Sequence, residues 1–287
     1  TRACAVLLDG RQLVAFVALP PTPDDIALSA NTAPAASTQQ APSAALARVA
    51  YWQAVYDHVY SPTDDDAPNE FAGWTSSYDG SPMPTEHMAQ WATDTVARIR
   101  SLGGRRLLEI GVGTGMLLTR LCIDCDAYWG TDISERAVTS LLTARRDADD
   151  VCDIHLMTQP AHEPLSAEVS VPAFDVAVVN SVAQYFPGAG YLVRVVEQLA
   201  AAVTASPTAG GRIFVGDLRS HRHLRHFHAA VHAHKLSMHA SSPTASALHG
   251  ALDIAIVEEN ELCVDPTVLL AVGAHAHLHL ERTRVLL

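Results

Sequence analysis

Leu107-Leu108-Glu109-Ile110-Gly111-Val112-Gly113-Thr114-Gly115 decides how the rest of the chain is read. An apolar strand with a carboxylate near its end runs into a three-glycine loop, and Met116 to Cys122 then forms a helix. A strand-to-helix turn with glycines at 111, 113 and 115 bares its backbone amides, so a ligand approaches without meeting a Cβ. The spacing is G-x-G-x-G, whereas the dinucleotide fingerprint is G-x-G-x-x-G. Glu109 would repel a pyrophosphate but attract the ammonium and sulfonium of S-adenosylmethionine, so the loop favours a methyl donor over NAD. Asp132 ends the next apolar run, Ala127 to Thr131, roughly 20 residues on, where ribose hydroxyls are gripped. The plainer alternative is a mere tight turn, with Asp132 capping a helix that starts at Ser134. The order and spacing of the two elements favour the cofactor.

The 287 residues are 48% hydrophobic and 17% charged, enough for one substantial core. No apolar run approaches a membrane span, and no charged-then-apolar signal opens the chain, which is expected to involve no membrane. Thr1 in place of methionine suggests a piece of something longer. A net charge of -12 argues against a nucleic-acid partner. Five cysteines without a regular framework fit a reducing cytoplasm. Cys122 and Cys125 form a C-x-x-C, but no second pair follows, so zinc or redox chemistry is not expected there.

Alternating residues from Ala3 to Leu19, with Asp9-Gly10 between them, predict a hairpin over residues 1–20. Residues 21–47 are Pro, Ala, Ser and Thr with few large apolar side chains and read as a flexible linker. Residues 48–100 form an N-terminal helical and lid segment. Trp52, Val55, Tyr56 and Val59 share a helix face there, and the aromatic, turn-rich FAGWTSSYDGSPMPTEHM reads as a lid with Tyr78 and the Ser76-Ser77 pair facing the ligand and Glu86 nearby. The competing account is that Phe71, Trp74 and Tyr78 only seal the end of the core. Residues 101–287 alternate strand and helix, the signature of a parallel sheet. Strands are expected at 106–110, 127–131, 154–157, 174–180 and 212–217, with an antiparallel closing pair at 252–258 and 274–281. The expected fold is α/β and Rossmann-like, a mostly parallel seven-stranded sheet with helices on both faces. Ligands sit at the carboxyl ends of such strands, which makes Glu109, Asp132, Thr158-Gln159, Asn180-Ser181 and Asp217 neighbours across one crevice.

LLEIGVGTGMLL, YWGTDIS, QPAHE, FDVAVVNSVAQYFPG and GGRIFVGDLRS together resemble the class I methyltransferase domains embedded in nonribosomal peptide synthetases. FAGWTSSYDGSPMP resembles that family's amino-terminal segment and ENELCVDP its late strand and loop, so the likeness covers about Tyr51 to Pro266. ACAVLLDGRQLVAFVAL is similar to the piece of an adenylation domain that precedes such an insertion. The resemblance implies an interrupted adenylation domain as host in cis, a peptidyl carrier domain bearing an aminoacyl thioester, and a small adenylation-domain activator protein. It implies that Gly111, Gly113 and Gly115 line the methionyl part of S-adenosylmethionine and that Asp132 holds the ribose. Ile133 with Gln159, Pro160 and Ala161 would flank adenine, and Asn180, Ser181 and Val182 would lie beside the sulfonium. The tail after VDP is shorter than in typical members.

Methyl transfer from a sulfonium requires alignment of a deprotonated nucleophile and few catalytic groups. Asn180 and Tyr185 are the first candidates to orient an amine, with Asp217 and Arg219 as substrate-side polar groups and Tyr78, Glu86 and His162 as further ones. Asp217 and Arg219 would otherwise be an internal ion pair. His275, His277 and His279 share a strand face and His228 and His232 a helix face, but nothing brings the two sets together and the reaction needs no metal. The expected activity is methylation of the α-amine of an aminoacyl thioester. Methylation of a side-chain oxygen or sulfur is the alternative, and a silent scaffold within the adenylation domain is the rival of another class.

Overall fold

The computed structural model describes residues 3–9, 12–18, 42–61, 70–71, 73–146, 151–164, 174–204, 211–239, 245–265, 267–268 and 285–286. Strands β1 (Ala3–Asp9) and β2 (Gln12–Ala18) pair antiparallel from Asp9↔Gln12 outward. Helix α1 runs Pro42–Val59, six residues into the stretch read as linker. Pro42 suits a first helical turn, and Ala44, Ala45, Leu46, Ala47 and Arg48 are good helix formers, so propensity outweighs the linker-like composition. Residues 19–41 lie outside the described residues.

Helix α2, Thr85–Arg100, buries Met88, Ala92, Val96 and Ile99 at spacings of three and four. It feeds β3 (Arg106–Ile110), after which come α3 (Met116–Leu121), β4 (Ala127–Asp132), α4 (Glu135–Ala144) and β5 (Asp153–Thr158). Then β6 (Val176–Asn180), α5 (Ala189–Thr204) and β7 (Arg212–Gly216) complete the alternation. The sheet order is β5-β4-β3-β6-β7, with every neighbouring pair parallel. The Rossmann-like reading stands, with five strands in this sheet among the described residues rather than seven.

Period-two alternation divides the core between the two faces of the sheet. Leu108, Ile110, Ala177 and Val179 face α5, whose Leu192, Val195, Val196, Leu199 and Val203 pack beneath them. Leu107, Tyr128, Val176 and Val178 face the opposite way, toward Val96 and Ile99 of α2, Leu117, Leu118 and Leu121 of α3 and Leu141 of α4. β6 is buried at every position, as a central parallel strand covered on both faces must be.

Helix α6 (Leu224–His239) and helix α7 (Ala245–Val257) follow β8 (Arg219–Ser220), which pairs parallel with β9 (Cys263–Val264). The strand expected at 252–258 is therefore wrong: that stretch is the end of α7. Apolar residues at 252, 254 and 256 imitate strand alternation, but the side chains turned inward are Leu248, Ala251, Leu252, Ala255 and Ile256, a three-four repeat. The expected strand at 274–281 lies outside the described residues. Strand β10 (Val285–Leu286) pairs antiparallel with β2 and completes a three-stranded sheet.

The chain leaves β3 toward β4 on one side of the sheet and returns through β6 on the other. That reversal opens a crevice above the carboxyl ends of β3 and β6, where the glycine loop and Asn180 emerge.

Candidate active site

A cavity of about 480 Å³ fills this crevice. Gly111 has φ +81°, and a Cβ there would lie 2.2 Å from Val182 Cγ2, so the first loop position tolerates no side chain. Gly113 lies directly under the Tyr60 hydroxyl. Gly115 is the left-handed N-cap of α3, packed against Leu141, and is not part of the cavity wall. Its left-handed backbone turns the chain into α3.

Two buried carboxylates flank the loop. Glu109 is 3% exposed, and its Oε2 accepts a 2.6 Å hydrogen bond from the Tyr128 hydroxyl. Burial, aided by the nearby Asp132 charge and opposed by the Tyr128 bond, pushes the Glu109 carboxyl up to about 8. Asp132 Oδ2 accepts from the Gly113 amide at 2.8 Å and Oδ1 from the Ser134 amide at 2.9 Å. Burial raises its carboxyl even so, and the amides of Ser134 and Gly113 work against the rise. Asp132 thus ties the loop to the start of α4, while Ser134 is the actual N-cap, its Oγ accepting from the Ala137 amide at 3.3 Å. Asp132 therefore does not cap α4 as the plainer alternative had it, and its side chain lines the cavity.

Beyond the loop, Ile133, Gln159, Ala161, Asn180, Ser181 and Val182 line the cavity as expected. Gln159 is anchored by its Nε2, which donates to the carbonyls of Glu163 and Pro164 at 3.0 Å each. Pro160 and Thr158 are not on the wall. At the far end, Asn180 Nδ2 donates to Ser181 Oγ at 3.0 Å, and Ser181 Oγ donates to Asp217 Oδ2 at 2.8 Å. Ser181 and Asp217 hold φ of 58° and 56°, left-handed conformations at the ends of neighbouring strands that turn the two side chains toward each other. Burial raises the Asp217 carboxyl against the lowering pull of Ser181 and then Arg219.

Arg219 does not pair with Asp217 as its main partner. Its Nη1 contacts Glu259 Oε1 at 3.1 Å and Glu261 Oε2 at 2.8 Å, with the guanidinium 4.8 Å over the Phe227 ring. Glu259 also meets His228 Nε2 at 3.0 Å, and the His228 and His232 rings lie 6.3 Å apart. His275, His277 and His279 lie outside the described residues.

The remaining wall comes from α1. Val49, Trp52, Tyr56 and Tyr60 face the cavity, and Tyr185 packs against Trp52 at 4.6 Å and Tyr56 at 5.0 Å between ring centroids. Burial raises the Tyr56, Tyr60 and Tyr185 hydroxyls, so these phenols are hydrogen-bond donors and not bases. The helix is latched by Ser134 Oγ donating to Asp57 Oδ1 at 2.6 Å and by Arg136 meeting Ser61. Just beyond it, Thr114 Oγ1 donates to the Glu70 carbonyl at 2.7 Å and Arg120 grips the Glu70 carboxylate.

Of the expected lid residues, Ser77 lines the cavity, but Tyr78 does not. Tyr78 is 42% exposed and packs edge-on against His234, because the turn at Asp79 to Ser81 swings it outward. Glu86 is exposed in the first turn of α2, and His162 faces Tyr191, its Nδ1 2.9 Å from the hydroxyl. Sequence reasoning missed Trp52, Tyr56, Tyr60, Gln184 and Glu261 as site residues. The signal for the first three was visible as an aromatic helix face, which reads equally well as ordinary core.

Among the described residues the lining carries four carboxylates, Glu109, Asp132, Asp217 and Glu261, against the single cation Arg219. Such a cavity favours a ligand that brings positive charge. Glu109 has one neutral donor for a fully buried carboxyl, a setting that an ammonium would complete.

Residues 108–212 match the family model described as a methyltransferase domain. The probable non-canonical nonribosomal peptide synthetase CymA of Salinispora arenicola is 39% identical over 232 residues, 81% of this chain and 3% of that protein. Chondramide synthase cmdD of Chondromyces crocatus is 34% identical over 229 residues, 78% of this chain and 6% of that protein. The chain therefore spans only a few per cent of the length of these relatives. Among solved structures, the magnesium protoporphyrin IX methyltransferase of Synechocystis with bound SAH superposes with a TM-score of 0.49 at 13% identity, covering 83% of this chain and 91% of that one.

Proposed function

Because the chain is an S-adenosylmethionine-dependent methyltransferase domain of the kind that nonribosomal peptide synthetases carry, we propose that it N-methylates the α-amine of an aminoacyl group held as a thioester. S-adenosylmethionine, when bound, supplies an electrophilic methyl group to a nucleophile aligned behind it. Glu109 takes its ammonium, the loop from Gly111 to Gly113 lies along its methionyl part, and Asp132 takes its ribose. Ile133, Gln159 and Ala161 lie beside its adenine.

The observation that carries the amine reading is Asp217. Its carboxylate faces the cavity, is fixed by Ser181 at 2.8 Å, and sits above the ordinary carboxylate range because it is buried. A carboxylate so placed attracts an ammonium and takes up the proton that the amine must shed. Asn180 and Ser181 hold Asp217 in that orientation, and Glu261 adds negative charge on the same wall. A phenolate or thiolate nucleophile would be disfavoured beside these groups.

The host is a synthetase acting in cis, with a carrier domain presenting the thioester and a small activator protein serving the adenylation half. The pairing of β10 with β2 supports a host-sheet origin for the terminal strands, since both ends of the chain enter one small sheet. The test is incubation of the chain with S-adenosylmethionine and aminoacyl carrier proteins, followed by tandem mass spectrometry. A single methyl on the α-nitrogen supports the reading. A methyl on a side-chain heteroatom, or cofactor binding with no transfer to any aminoacyl carrier, overturns it.

A further inference from the structure

A sulfonium carries a full positive charge but no N–H, so a carboxylate holds it only through the field. The face of an aromatic ring suits such a cation, as it suits a quaternary ammonium. Rings of this kind stand where that charge would sit. Trp52, Tyr56 and Tyr185 line the cavity, and each is only half-buried, so ring surface stays open to a ligand. Tyr56 and Tyr185 stand 5.0 Å apart between centroids and at 64° to one another, two walls of a corner, and Trp52 packs 4.6 Å from Tyr185.

The corner lies between the two ends of the site. The Tyr185 amide donates to the Val182 carbonyl at 3.0 Å, and Val182 is the side chain that crowds Gly111. Tyr60, one turn after Tyr56 and 5.6 Å from it between ring centroids, carries the hydroxyl that covers Gly113. These contacts tie the rings to the loop that runs along the donor's methionyl part. In the other direction, the Tyr56 and Tyr185 hydroxyls feel the charge of Glu261, and Tyr185 also that of Asp217, the carboxylate assigned to the nucleophile. The methyl group must pass from one end to the other, so the positive sulfur lies between them. Burial keeps both phenols neutral, so what they offer a cation is the ring rather than a counter-charge.

We propose that Tyr56 and Tyr185 hold the sulfonium of S-adenosylmethionine by cation–π contact, which ranks the charged donor above the neutral product. This deepens the donor placement given above and rests on it, whichever atom receives the methyl. On transfer the sulfur–methyl bond breaks, its electron pair stays on sulfur, and the corner is left with a neutral thioether. S-adenosylhomocysteine therefore loses this contact while keeping those of its ammonium and ribose. The wall that seats the donor is the wall that lets go of the product.

The experiment titrates the full chain with S-adenosylmethionine and with S-adenosylhomocysteine and reads the ratio of the two dissociation constants. The ligands differ only in one methyl group and its charge, so a purely structural loss weakens both alike. Tyr56→Leu and Tyr185→Leu should each shift the ratio against S-adenosylmethionine by about three- to tenfold, within the range of one cation over an aromatic face. Tyr185→Phe, which keeps the ring and drops the hydroxyl, should leave the ratio unchanged. Where a leucine variant binds neither ligand, ring-fluorinated phenylalanines at position 185 decide. They keep the shape and drain the ring face, so the ratio should shift further with each added fluorine. No binding of S-adenosylmethionine by the wild type would sink the donor reading and this inference with it. Binding of both ligands, with a ratio that the leucine and fluorinated variants leave unmoved, would overturn this inference alone.

Discussion

Replacing Glu109 by glutamine should change how cofactor affinity depends on pH, and the size of the change follows from the burial of that side chain. In the free protein the Glu109 carboxyl is pushed up to about 8 from an ordinary value of 4.5, so near neutral pH it is mostly protonated. Docking an ammonium against it favours the ionised form, so binding must release a proton. Affinity then rises with pH below 8, by up to tenfold per unit, or about 1.4 kcal/mol per unit. The window to use is pH 5.5 to 7, because an α-ammonium itself loses its proton at about 8. Over that window the dissociation constant of S-adenosylhomocysteine should fall by roughly thirtyfold in the wild type. It should fall much less in Glu109→Gln, where only Asp132, raised in the same direction, still titrates. Isothermal titration at pH 6.5 in buffers of different ionisation enthalpy should show close to one proton released by the wild type. The same side chain sets a stability trend of opposite usefulness. A carboxyl raised by folding binds its proton more tightly in the native state, so stability is lost as pH climbs from 4.5 toward 8, by about 3 kcal/mol at neutral pH. Glu109→Gln should thus be more stable than wild type at pH 7 and similar at pH 4.5. A wild-type dissociation constant that stays flat from pH 5.5 to 7, with no proton released, would refute the reasoning.

Asp217→Asn should lower kcat for aminoacyl transfer by 100-fold or more, the usual range for losing a positioned base, while S-adenosylhomocysteine binds as in the wild type; an unchanged kcat would remove Asp217 from the chemistry. Gly111→Ala places a methyl group 2.2 Å from Val182 in a left-handed backbone, so denaturant unfolding should show a loss of about 2 kcal/mol or more together with weaker cofactor binding. Removing residues 1–41 should leave cofactor affinity unaltered, whereas removing residues 1–61 takes away Trp52, Tyr56, Asp57 and Tyr60 and should weaken it at least tenfold, readable in the same titration. A strong loss from the shorter deletion would show that the hairpin belongs to the site.

The parallel sheet and the glycine loop at the head of the cavity were legible because their signals are local. Leu107 to Gly115 carries its strand, its turn and its ligand chemistry in nine consecutive residues, and Asp132 repeats the pattern one strand later. The site's second half was harder to see because it is assembled from afar. Trp52 and Tyr56 reach Tyr185 across more than a hundred residues, and Glu261 reaches Arg219 across 42. Nothing in the spacing of an aromatic helix face says whether it covers a core or a cavity. Tyr78 misled for the opposite reason: its neighbours have the composition of a lid, but a turn held by Asp79 and Ser81 points the ring away. The end of α7 shows how three alternating apolar residues pass for a strand when two of the five side chains turned inward are small alanines that break up the three-four repeat.

Ser181 and Asp217 are the two non-glycine residues among those described that hold a positive φ, and they hydrogen-bond each other. Each such conformation costs about 1 to 3 kcal/mol for a residue with a side chain. Glycine at either position would remove the cost there, so, on the role proposed for Asp217, these two sites oppose robustness to catalysis within a single hydrogen bond. A library of this domain bred only for survival at high temperature should drift to glycine or asparagine at 181 and 217. Its survivors would be sturdier than their parent, still able to hold the cofactor, and slow.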